Sequence, residues 1–486
     1  MMSRNNENKQ RIDFFVFKKA ISKKLWFITS ILFLINGLMA WTSQIFANSE
    51  DWWLHGIWCV NGLLIAFPII KKTLDNGVTS AIVDHKVMLL AAFTLYFTLG
   101  ASLFVFGSDS SISQAMGRYP ISAIDALRVD GFNSIGLAIA LATGAALKGE
   151  WFLGGARGFA RFVSKTPAHL VLLILLILGM SGYLLLMARD LGLVYMVVPG
   201  ALGQMAMLLL FCIFLGAAYK GKMSFAIHSF SLLTLFIMVV LGLLTFNKTS
   251  IYLPILAFAA GIAIRKGSIR YLLLGVLAVF FSITLLGDMV SYGRENGGLK
   301  DKTLSERISI VQDYMDSPSA FESQYSGWSR LNYMSVQAAS IDFYDQGDGG
   351  NGFSLVPWLF VPRLLNSNKP IITAGASELN YKIYGVYTSS VAMGVFISGY
   401  YNGGWLGFFF ASIFCGWFLA QTSSLTAMLI EEKAYLLLPL GLLGVYIAFR
   451  IDGDLIFDHI GTFVIILFPL VAFIFMFGIS KRMISK

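Results

Sequence analysis

Charged residues are scarce in this chain. Lys, Arg, Asp and Glu make up 13% of its 486 residues, roughly half the share found in soluble domains. Hydrophobic residues make up 57%, and the mean hydropathy is +0.72. So few charges cannot cover the surface of a protein of this length in water. The composition therefore excludes an ordinary soluble domain and predicts an all-α polytopic membrane protein.

Cysteine and histidine are also rare. Cys59, Cys212 and Cys415 each lie inside an apolar run, and the five histidines form no His-x-x-His or Glu-x-x-His pair. Lone thiols among apolar residues predict neither a disulfide framework nor a metal site. We therefore expect no metal and no cofactor.

Long apolar runs are what the chain has instead. A spanning helix needs about 20 apolar residues, and twelve runs approach that length, of which Gly131–Leu147 is the weakest because Gly, Asn and Ser interrupt it. The twelve predicted spans are Leu25–Phe46, Trp53–Ile70, Val87–Phe106, Gly131–Leu147, His169–Met187, Ala201–Tyr219, Ala226–Phe246, Ile251–Ile264, Tyr271–Leu286, Val391–Thr422, Tyr435–Phe449 and Gly461–Phe477.

The basic residues predict the orientation. If both termini are cytoplasmic, the inner segments carry 23 of the 36 basic residues but 7 of the 27 acidic residues, which is the positive-inside pattern. The net charge of +9 therefore indicates an inner-membrane topology and gives no reason to expect a nucleic-acid partner. The parts are a basic cytoplasmic segment (1–24), spans 1–9 (25–286), a long periplasmic loop (287–390), spans 10–12 (391–479) and a cytoplasmic tail (480–486).

The long outer loop reads as folded and functional, because loops of this length are rarely idle connectors. Thr303-Leu-Ser-Glu306 is a capping-box pattern, and apolar residues follow it at helical spacing. A second helix is predicted from Ser326 to about Asp345. Two amphipathic helices on the membrane surface would form a lid over whatever the spans enclose.

Thirteen basic residues fall on the outer side, where short segments normally avoid arginine. The planar guanidinium fork suits phosphate groups, so we expect part of this set to bind an anion. The outer basic residues are Arg118, Arg128, Arg189, Lys248, Arg294, Lys300, Lys302, Arg307, Arg330, Arg363, Lys369, Lys382 and Arg450.

A purely structural role is the alternative for each arginine. Asp125 and Asp130 lie near Arg118 and Arg128 in sequence, and Arg189 adjoins Asp190. Arg450 has two neighbouring acids, Asp452 and Asp454. Each group could be a neutralised pair that only holds helices together.

Two further features belong to the same outer side. The turn Asn247-Lys-Thr-Ser250 precedes a short apolar run, Ile251–Ile264, so we expect it to lie below the outer surface and to draw Lys248 into the membrane. Aromatic residues crowd this side as an interfacial belt or as platforms for sugar rings.

Candidate general bases are Asp452, Asp454, Asp458, Glu322, Asp342, Asp345 and Glu378.

Two segments carry a resemblance to a known family. Trp358-Leu-Phe-Val-Pro-Arg-Leu-Leu-Asn-Ser-Asn-Lys-Pro370 resembles the PR…KP element in the long periplasmic loop of bacterial oligosaccharide repeat-unit polymerases, the O-antigen polymerase (Wzy) group. Ser398-Gly-Tyr-Tyr-Asn-Gly-Gly-Trp-Leu-Gly407 is similar to that family's NFG-x-x-G element, with Gly403 where an aromatic residue is commoner. Lys248 stands where many members carry an arginine. The family's usual Glu before the NFG element is absent.

The resemblance implies a membrane glycosyltransferase of the GT-C type. Such a polymerase moves a growing glycan from undecaprenyl pyrophosphate to the non-reducing end of a new lipid-linked repeat unit on the periplasmic face. Its implied partners are the undecaprenyl-pyrophosphate-linked oligosaccharide, membrane lipids and a chain-length-regulating co-polymerase. Its product class includes lipopolysaccharide.

On that basis we assign roles to ten residues. Four basic residues, Arg363, Arg330, Arg450 and Lys248, are predicted to bind the pyrophosphate, whose developing charge they would stabilise. Arg118, Arg128 and Arg294 are predicted to line the acceptor side. Asp452, Asp454 and Glu322 are the predicted catalytic carboxylates. No metal is assigned.

Three alternatives stay open at this point. Twelve spans are also common in transporters and lipid flippases, although we find no internal repeat of the kind those folds show. A ligase of the same fold, acting on lipid A core, would be expected to carry a His in the long loop, and this loop has none. A structural subunit of a secretion machine would leave the outer arginines unexplained.

Overall fold

Helices account for all regular secondary structure in the described part of the chain. The computed structural model describes residues 21–117, 119–151, 153–190, 199–220, 224–246, 248–296, 304–316, 331–361, 366, 368–370, 374–385, 391–468 and 471. Within these ranges the protein is all-helical and contains no strand. This agrees with the fold class predicted from composition.

The first half of the chain begins with two long helices, followed by four short ones and a third long helix. The chain continues from α4 through a π-helical turn, Thr94–Gly100, into α5. The helices are α1 (Lys23–Ser43), α2 (Trp52–Asp75), α3 (Val78–Val83), α4 (His85–Phe93), α5 (Leu103–Phe106), α6 (Asp109–Met116), α7 (Ala123–Ala146), α8 (Leu153–Val163), α9 (Ala168–Asp190) and α10 (Pro199–Ala218).

The second half contains the helices of the outer loop and the longest helix of the protein. A second π-helical segment, Leu455–Ile460, follows the last of them and continues as helix over 461–468. The helices are α11 (Ser224–Leu244), α12 (Lys248–Lys266), α13 (Arg270–Asn296), α14 (Leu304–Asp316), α15 (Met334–Asp345), α16 (Val356–Leu359), α17 (Ala374–Tyr384), α18 (Val395–Glu431) and α19 (Leu438–Phe449).

Every one of the twelve predicted apolar runs overlaps a helix, and six of these helical segments are long and apolar enough to cross a membrane. The remaining runs coincide with helices that are shorter or less apolar over the described residues. Twelve spans therefore stay a prediction. The six are Lys23–Ser43, Trp52–Thr73, His85–Phe106, Ala123–Ala146, Ser224–Leu244 and Val395–Glu431.

The run that looked weakest in sequence is the most enclosed of the six. In α7, 72% of the apolar window is buried, because its small residues let α1 and α18 come close. A Cβ on Gly136 would lie 2.5 Å from the ring of Phe396 in α18. The Gly, Asn and Ser residues that weakened the apolar signal are thus what allows α7 to occupy the centre.

The α7–α18 contact gives a first prediction. A Cβ on Gly416 would lie 2.2 Å from the carbonyl oxygen of Ala140 in α7. We therefore expect Gly416→Ala to destabilise the protein by about 1–3 kcal/mol, as overpacking does elsewhere. Thermal unfolding in detergent measures this. The control is Gly375→Ala in α17, where no atom lies within 4 Å of the new Cβ; equal losses from both variants would contradict the packing argument.

The helix α18 is broken near its N-terminal end. Gly403 and Gly404 leave helical geometry, and Gly404 has a φ of +58°, which favours glycine. The loop turn at 349–352 packs against this break, with the Gly350 amide donating to the Tyr401 carbonyl at 2.9 Å and the Gly352 amide to Asn402 Oδ1 at 2.6 Å. The segment that resembles the NFG element therefore forms a kink that anchors the outer loop.

Both helices predicted in the long loop (287–390) are present, but they differ in how deeply they are buried. The first is present as α14, whose Ile310 packs on Phe246 and Val290. The second begins at Met334, and residues 334–341 are all buried. The lid prediction is therefore wrong for α15, which lies between α7 and α18 and exposes no face over that stretch.

The polar residues of α15 explain the error. Ser335 donates to the Ala115 carbonyl at 3.0 Å, and Gln337 Oε1 accepts from Asn133 at 3.1 Å. Polar side chains at helical spacing looked like a solvent-facing side, but here they satisfy partners inside the protein. Amphipathic spacing alone cannot distinguish these two uses of a polar face.

The expected turn before α12 is only partly a turn. Lys248, Thr249 and Ser250 form the first turn of α12, which runs for 19 residues. At 1.5 Å per residue that is about 28 Å, close to the thickness of the hydrocarbon core. The premise that this helix is short is therefore wrong, while the depth of Lys248 in the membrane stays a prediction.

Candidate functional site

The turn of residues 450–454 joins α19 to the π-helical segment. It is held by the start of α18, because the amides of Gly394 and Val395 donate to the carbonyls of Asp452 and Ile451 at 2.8 and 2.9 Å. These backbone hydrogen bonds fix the turn against a long, buried helix. Side chains on it therefore have a rigid support, as a binding site requires.

Arg450 is the centre of this turn. Its Nη2 lies 3.3 Å from Asp458 Oδ2, its Nε lies 3.5 Å from Asp452 Oδ1, and its Nη1 donates to the Tyr446 hydroxyl at 3.3 Å. Burial opposes the charge, but the two carboxylates outweigh it, and they raise the pKa of Arg450 above its usual range. With 37% of its side chain exposed, the charged guanidinium remains open to a ligand.

Asp452 is the most unusual carboxylate of the group. It is 7% exposed, and among the described residues no hydrogen bond reaches its Oδ1. Burial raises the pKa of Asp452, against the lowering effects of Arg450 and Tyr333. A buried carboxylate that is incompletely paired and inclined to hold a proton is suited to general-base chemistry.

Asp454 is not equivalent to Asp452, although both were predicted to be catalytic. Its Oδ1 accepts from the amides of Ile456 and Phe457 at 2.8 Å, and its Oδ2 accepts from the Ser398 hydroxyl at 2.8 Å. This is the pattern of a helix cap. The expectation that Arg450 pairs with Asp454 is wrong, because Asp454 caps the π-helical segment and Asp458 takes its place beside Arg450.

Two tyrosines line the same site, and the sequence analysis did not assign them. Tyr333 lies beside Asp452, and its ring lies 5.7 Å from that of Tyr96, which in turn lies 6.1 Å from Phe449. Tyr333 lies three positions after Arg330, a predicted site residue, so its position in the sequence could have indicated that it belongs to the site. Tyr96 lies in the π-helical turn after α4. No sequence pattern predicted this turn.

Arg128 forms a second cluster with Asp342 and Asp345, both from α15. The Asp342 oxygen is 3.3 Å from Arg128, and Asp345 is also in contact with it. Tyr119 donates to Asp342 and Tyr400 donates to Asp345, each at 2.7 Å. Burial raises the pKa of Asp342, against the hydrogen bond from Tyr119.

The neighbours of Arg128 in sequence have other partners. Asp125 accepts from the amide and hydroxyl of Ser122 at 2.8 Å and so caps α7. Asp130 pairs with His55 at 2.6 Å. The expected pairing of Arg128 with these two acids is therefore wrong, and the acids that neutralise it come from the outer loop.

The two clusters lie at opposite ends of α15. Tyr333 precedes the helix and contacts Asp452, whereas Asp342 is nine residues further on, or about 14 Å along a helix. A single diphosphate cannot bridge that distance. Arg450 and Arg128 therefore lie in separate clusters, and their assignment to different parts of the substrate stays a prediction.

An aromatic cluster lies beside Tyr400. The ring of Phe132 stacks on that of Trp405 at 5.1 Å and lies 4.7 Å from Tyr400, and Trp41 lies 5.6 Å from Trp405. Trp405 is 43% exposed, so one of its faces is open to lipid or ligand. This cluster connects directly to the Arg128 cluster through Tyr400.

The remaining predicted site residues cannot be placed from the described part of the chain. Arg118, Glu322, Arg330 and Arg363 lie outside the described residues. The backbones of Lys248 and Arg294 belong to α12 and α13, but their side chains lie outside the description. Their predicted roles stay predictions.

No protein-family model, no curated protein and no solved structure matches this chain. What the site can do must therefore be argued from its own chemistry. A fixed guanidinium beside a buried carboxylate can stabilise a developing anion and accept a proton in the same place.

Proposed function

We propose that this chain is an inner-membrane polysaccharide polymerase, a glycosyltransferase of the GT-C type. The observation that carries the proposal is the buried turn in which Arg450 contacts Asp452 and Asp458 while Asp452 lacks a full set of partners. The apolar helices support a substrate carried by a membrane lipid. The resemblance of residues 358–370 and 398–407 to repeat-unit polymerases supports the same reaction.

The proposed reaction forms one glycosidic bond and breaks one sugar–phosphate bond. The hydroxyl of the acceptor sugar attacks the anomeric carbon of the donor glycan and loses its proton to Asp452. The undecaprenyl pyrophosphate leaves with the bonding electron pair, and Arg450 stabilises its charge. In active sites of this kind, the largest rate enhancement comes from charged groups that are already positioned where charge develops in the transition state.

Two described residues support the assignment of Arg330 and Arg363 to the same site. Tyr333 contacts Asp452, and Leu359 packs against Gly461 just after the π-helical segment. Tyr333 lies three positions after Arg330 in the sequence, and Leu359 lies four positions before Arg363. In the proposal, these arginines join Arg450 on the pyrophosphate, while Arg128 and the Trp405 cluster receive the acceptor.

Substitution with a gel readout tests the proposal. Polymer length is measured in a strain that lacks the chromosomal copy and carries a variant on a plasmid. We expect Arg363→Ala and Arg330→Ala each to abolish long polymer while the protein remains at its normal level in the membrane. Normal long polymer from Arg363→Ala combined with Arg450→Ala would contradict the proposal.

The Arg128 cluster gives a separate prediction about the acceptor. Removing one guanidinium from a partly exposed site should cost about tenfold in acceptor binding. We expect Arg128→Ala to raise the KM for the lipid-linked acceptor unit and to change kcat less. Initial rates in proteoliposomes with varied acceptor measure this, with Lys382→Ala as the control on a loop ion pair at Asp348. A fall in kcat at unchanged KM would contradict the assignment.

A transporter or lipid flippase is the second candidate function. The observation that favours it is the pair of His55 and Asp130, which are 0% and 6% exposed inside two candidate spans. Ionisable groups at such depth often belong to transport pathways. The two functions separate in proteoliposomes, where a polymerase lengthens the glycan and a flippase only moves the lipid-linked unit between leaflets.

A further inference from the structure

Three potential metal ligands meet where α2 contacts α7. His55 and Cys59 are one helical turn apart on α2, and Asp130 lies on α7. One ligand atom from each lies within 4.8 Å of the other two, and all three residues are buried. Sequence reasoning missed the group because it searched for His-x-x-His and Glu-x-x-His pairs and treated Cys59 as a lone thiol.

The orientation of the His55 ring suits a metal ligand. Its Nε2 lies 3.0 Å from the Ala101 carbonyl oxygen, so this nitrogen carries a proton and donates it. In the neutral ring, Nδ1 then holds the free lone pair, and it faces Asp130 Oδ2 at 2.6 Å. Cys59 Sγ lies beside the ring, 3.9 Å from Nδ1 and 3.6 Å from Nε2. A backbone carbonyl that fixes the second ring nitrogen is the usual support for a ligating histidine.

A small polar cavity adjoins two of the three ligands. Cys59 and Asp130 line it together with Asn36, Asn133 and Trp58. Asn36 and Asn133 are 5% and 2% exposed, and among the described residues their Oδ1 atoms have no hydrogen-bond partner. The cavity has room for about one water molecule. Buried amide oxygens that lack hydrogen-bond partners indicate that the cavity holds a group to which these oxygens can donate a lone pair.

We propose that His55, Cys59 and Asp130 bind a divalent transition-metal ion of the zinc type. His55 Nδ1, Cys59 Sγ and an Asp130 oxygen supply three ligands, and an oxygen from the adjoining cavity completes a tetrahedral site. A mixed nitrogen, sulfur and oxygen set is the ligand chemistry of zinc. This replaces the expectation from sequence that the chain holds no metal.

Charge balance favours the ion in this location. On binding, the Cys59 thiol and the His55–Asp130 pair each release one proton, and the ion takes their place. A dication with one thiolate, one carboxylate and one neutral imidazole is neutral overall. A neutral site costs far less in an apolar interior than a charged group without a partner.

The geometry needs only a small adjustment. Nitrogen and oxygen ligands at 2.0–2.2 Å from a tetrahedral ion lie about 3.3 Å apart. The present separation of His55 Nδ1 and Asp130 Oδ2 is 2.6 Å, and Cys59 Sγ lies 3.6 Å from His55 Nε2, so rotations of the Asp130 and Cys59 side chains open the site. The bound ion would then tie α2 to α7 two residues after Arg128, without touching the Arg450 site.

Cobalt(II) substitution tests the proposal on the full-length protein. Metal-free protein in detergent is titrated with Co²⁺, and the bound metal is counted by elemental analysis. We expect one equivalent of cobalt, with visible bands of a tetrahedral site and a near-ultraviolet band from the thiolate. Cys59→Ser should remove the thiolate band, while Cys415→Ser, a buried thiol elsewhere in the protein, should keep it.

Two results would overturn the metal site. One is metal-free protein that takes up no Co²⁺ or Zn²⁺. The other is a thiolate band that persists in Cys59→Ser. If that variant does not fold, X-ray absorption of the zinc-loaded wild type decides instead, because the proposal requires one sulfur ligand per zinc. These measurements do not depend on polymer synthesis, so they stand or fall apart from the proposed function.

Discussion

Replacing Arg450 with alanine is expected to lower the rate of polymer synthesis by about 100- to 1,000-fold, the usual cost of removing one donor that stabilises a developing anion. Arg450 is held by Asp458 and Tyr446 on one side and Asp452 on the other. In the proposed reaction no other described residue takes its place against the pyrophosphate. Initial rates in proteoliposomes measure the effect.

Two further variants separate charge from geometry. Arg450→Lys keeps the charge but loses the planar fork, so we expect it to stay well below wild-type activity. Arg161→Ala is the matched control, because Arg161 also pairs with a carboxylate, Glu432, but is 66% exposed. Its activity should be normal. Wild-type rates from Arg450→Lys would show that a positive charge suffices and that the fork is not used.

Replacing Asp452 with asparagine should have the second large effect. The variant keeps the shape of the side chain but removes the proton acceptor, which typically costs 100- to 10,000-fold where a general base is used. Unlike most losses of activity, this one should come without a loss of stability. Burial raises the pKa of Asp452, so the site prefers a neutral group there.

The pH dependence follows from the direction of that shift. The pKa of Asp452 is raised on folding, so its contribution to stability is complete below the pKa of the unfolded chain. That contribution is lost as the pH rises through the folded pKa. Asp452→Asn should therefore unfold at a higher temperature than the wild type, and the difference should grow from acidic to neutral pH. A difference that shrinks as pH rises would contradict this reading of the site.

Asp454→Ala provides the contrasting case. Asp454 caps two amides and accepts from Ser398, and loss of a cap costs about 0.5–2 kcal/mol. We expect this variant to be less stable than Asp452→Asn in thermal unfolding. If Asp454→Asn abolished turnover while Asp452→Asn remained active, the two carboxylates would have to exchange roles.

Local features of the outer loop could be read from sequence only in part. The spacing of Leu304, Ile308 and Val311 correctly predicted a helix where α14 lies. The predicted buried face was wrong, because α14 buries Ile310 and leaves Ile308 41% exposed. The buried α15 was predicted as a helix but placed on the wrong surface. Its Ser335 and Gln337 look like solvent-facing residues until their partners on other elements are known.

The partners of each arginine were beyond what the sequence could determine. Neighbours in sequence suggested Asp130 for Arg128 and Asp454 for Arg450. In the fold, Arg128 meets Asp342, more than 200 positions away, and Asp454 turns to cap its own segment. Ion pairs depend on which side chains point the same way after the helices pack, and spacing along the chain does not contain that information.

By itself, the sequence determined that this protein is helical and apolar enough to cross a membrane, because low charge and long hydrophobic runs leave no other stable arrangement. It also selected Arg450 and Asp452 as candidate site residues, and their roles stay predictions. Only the tertiary structure decided that Asp452 is buried against Tyr333, and that His55, Cys59 and Asp130 meet. Those contacts join segments that are far apart in the chain. They form only when the helices pack together, which the small residues of α7 allow.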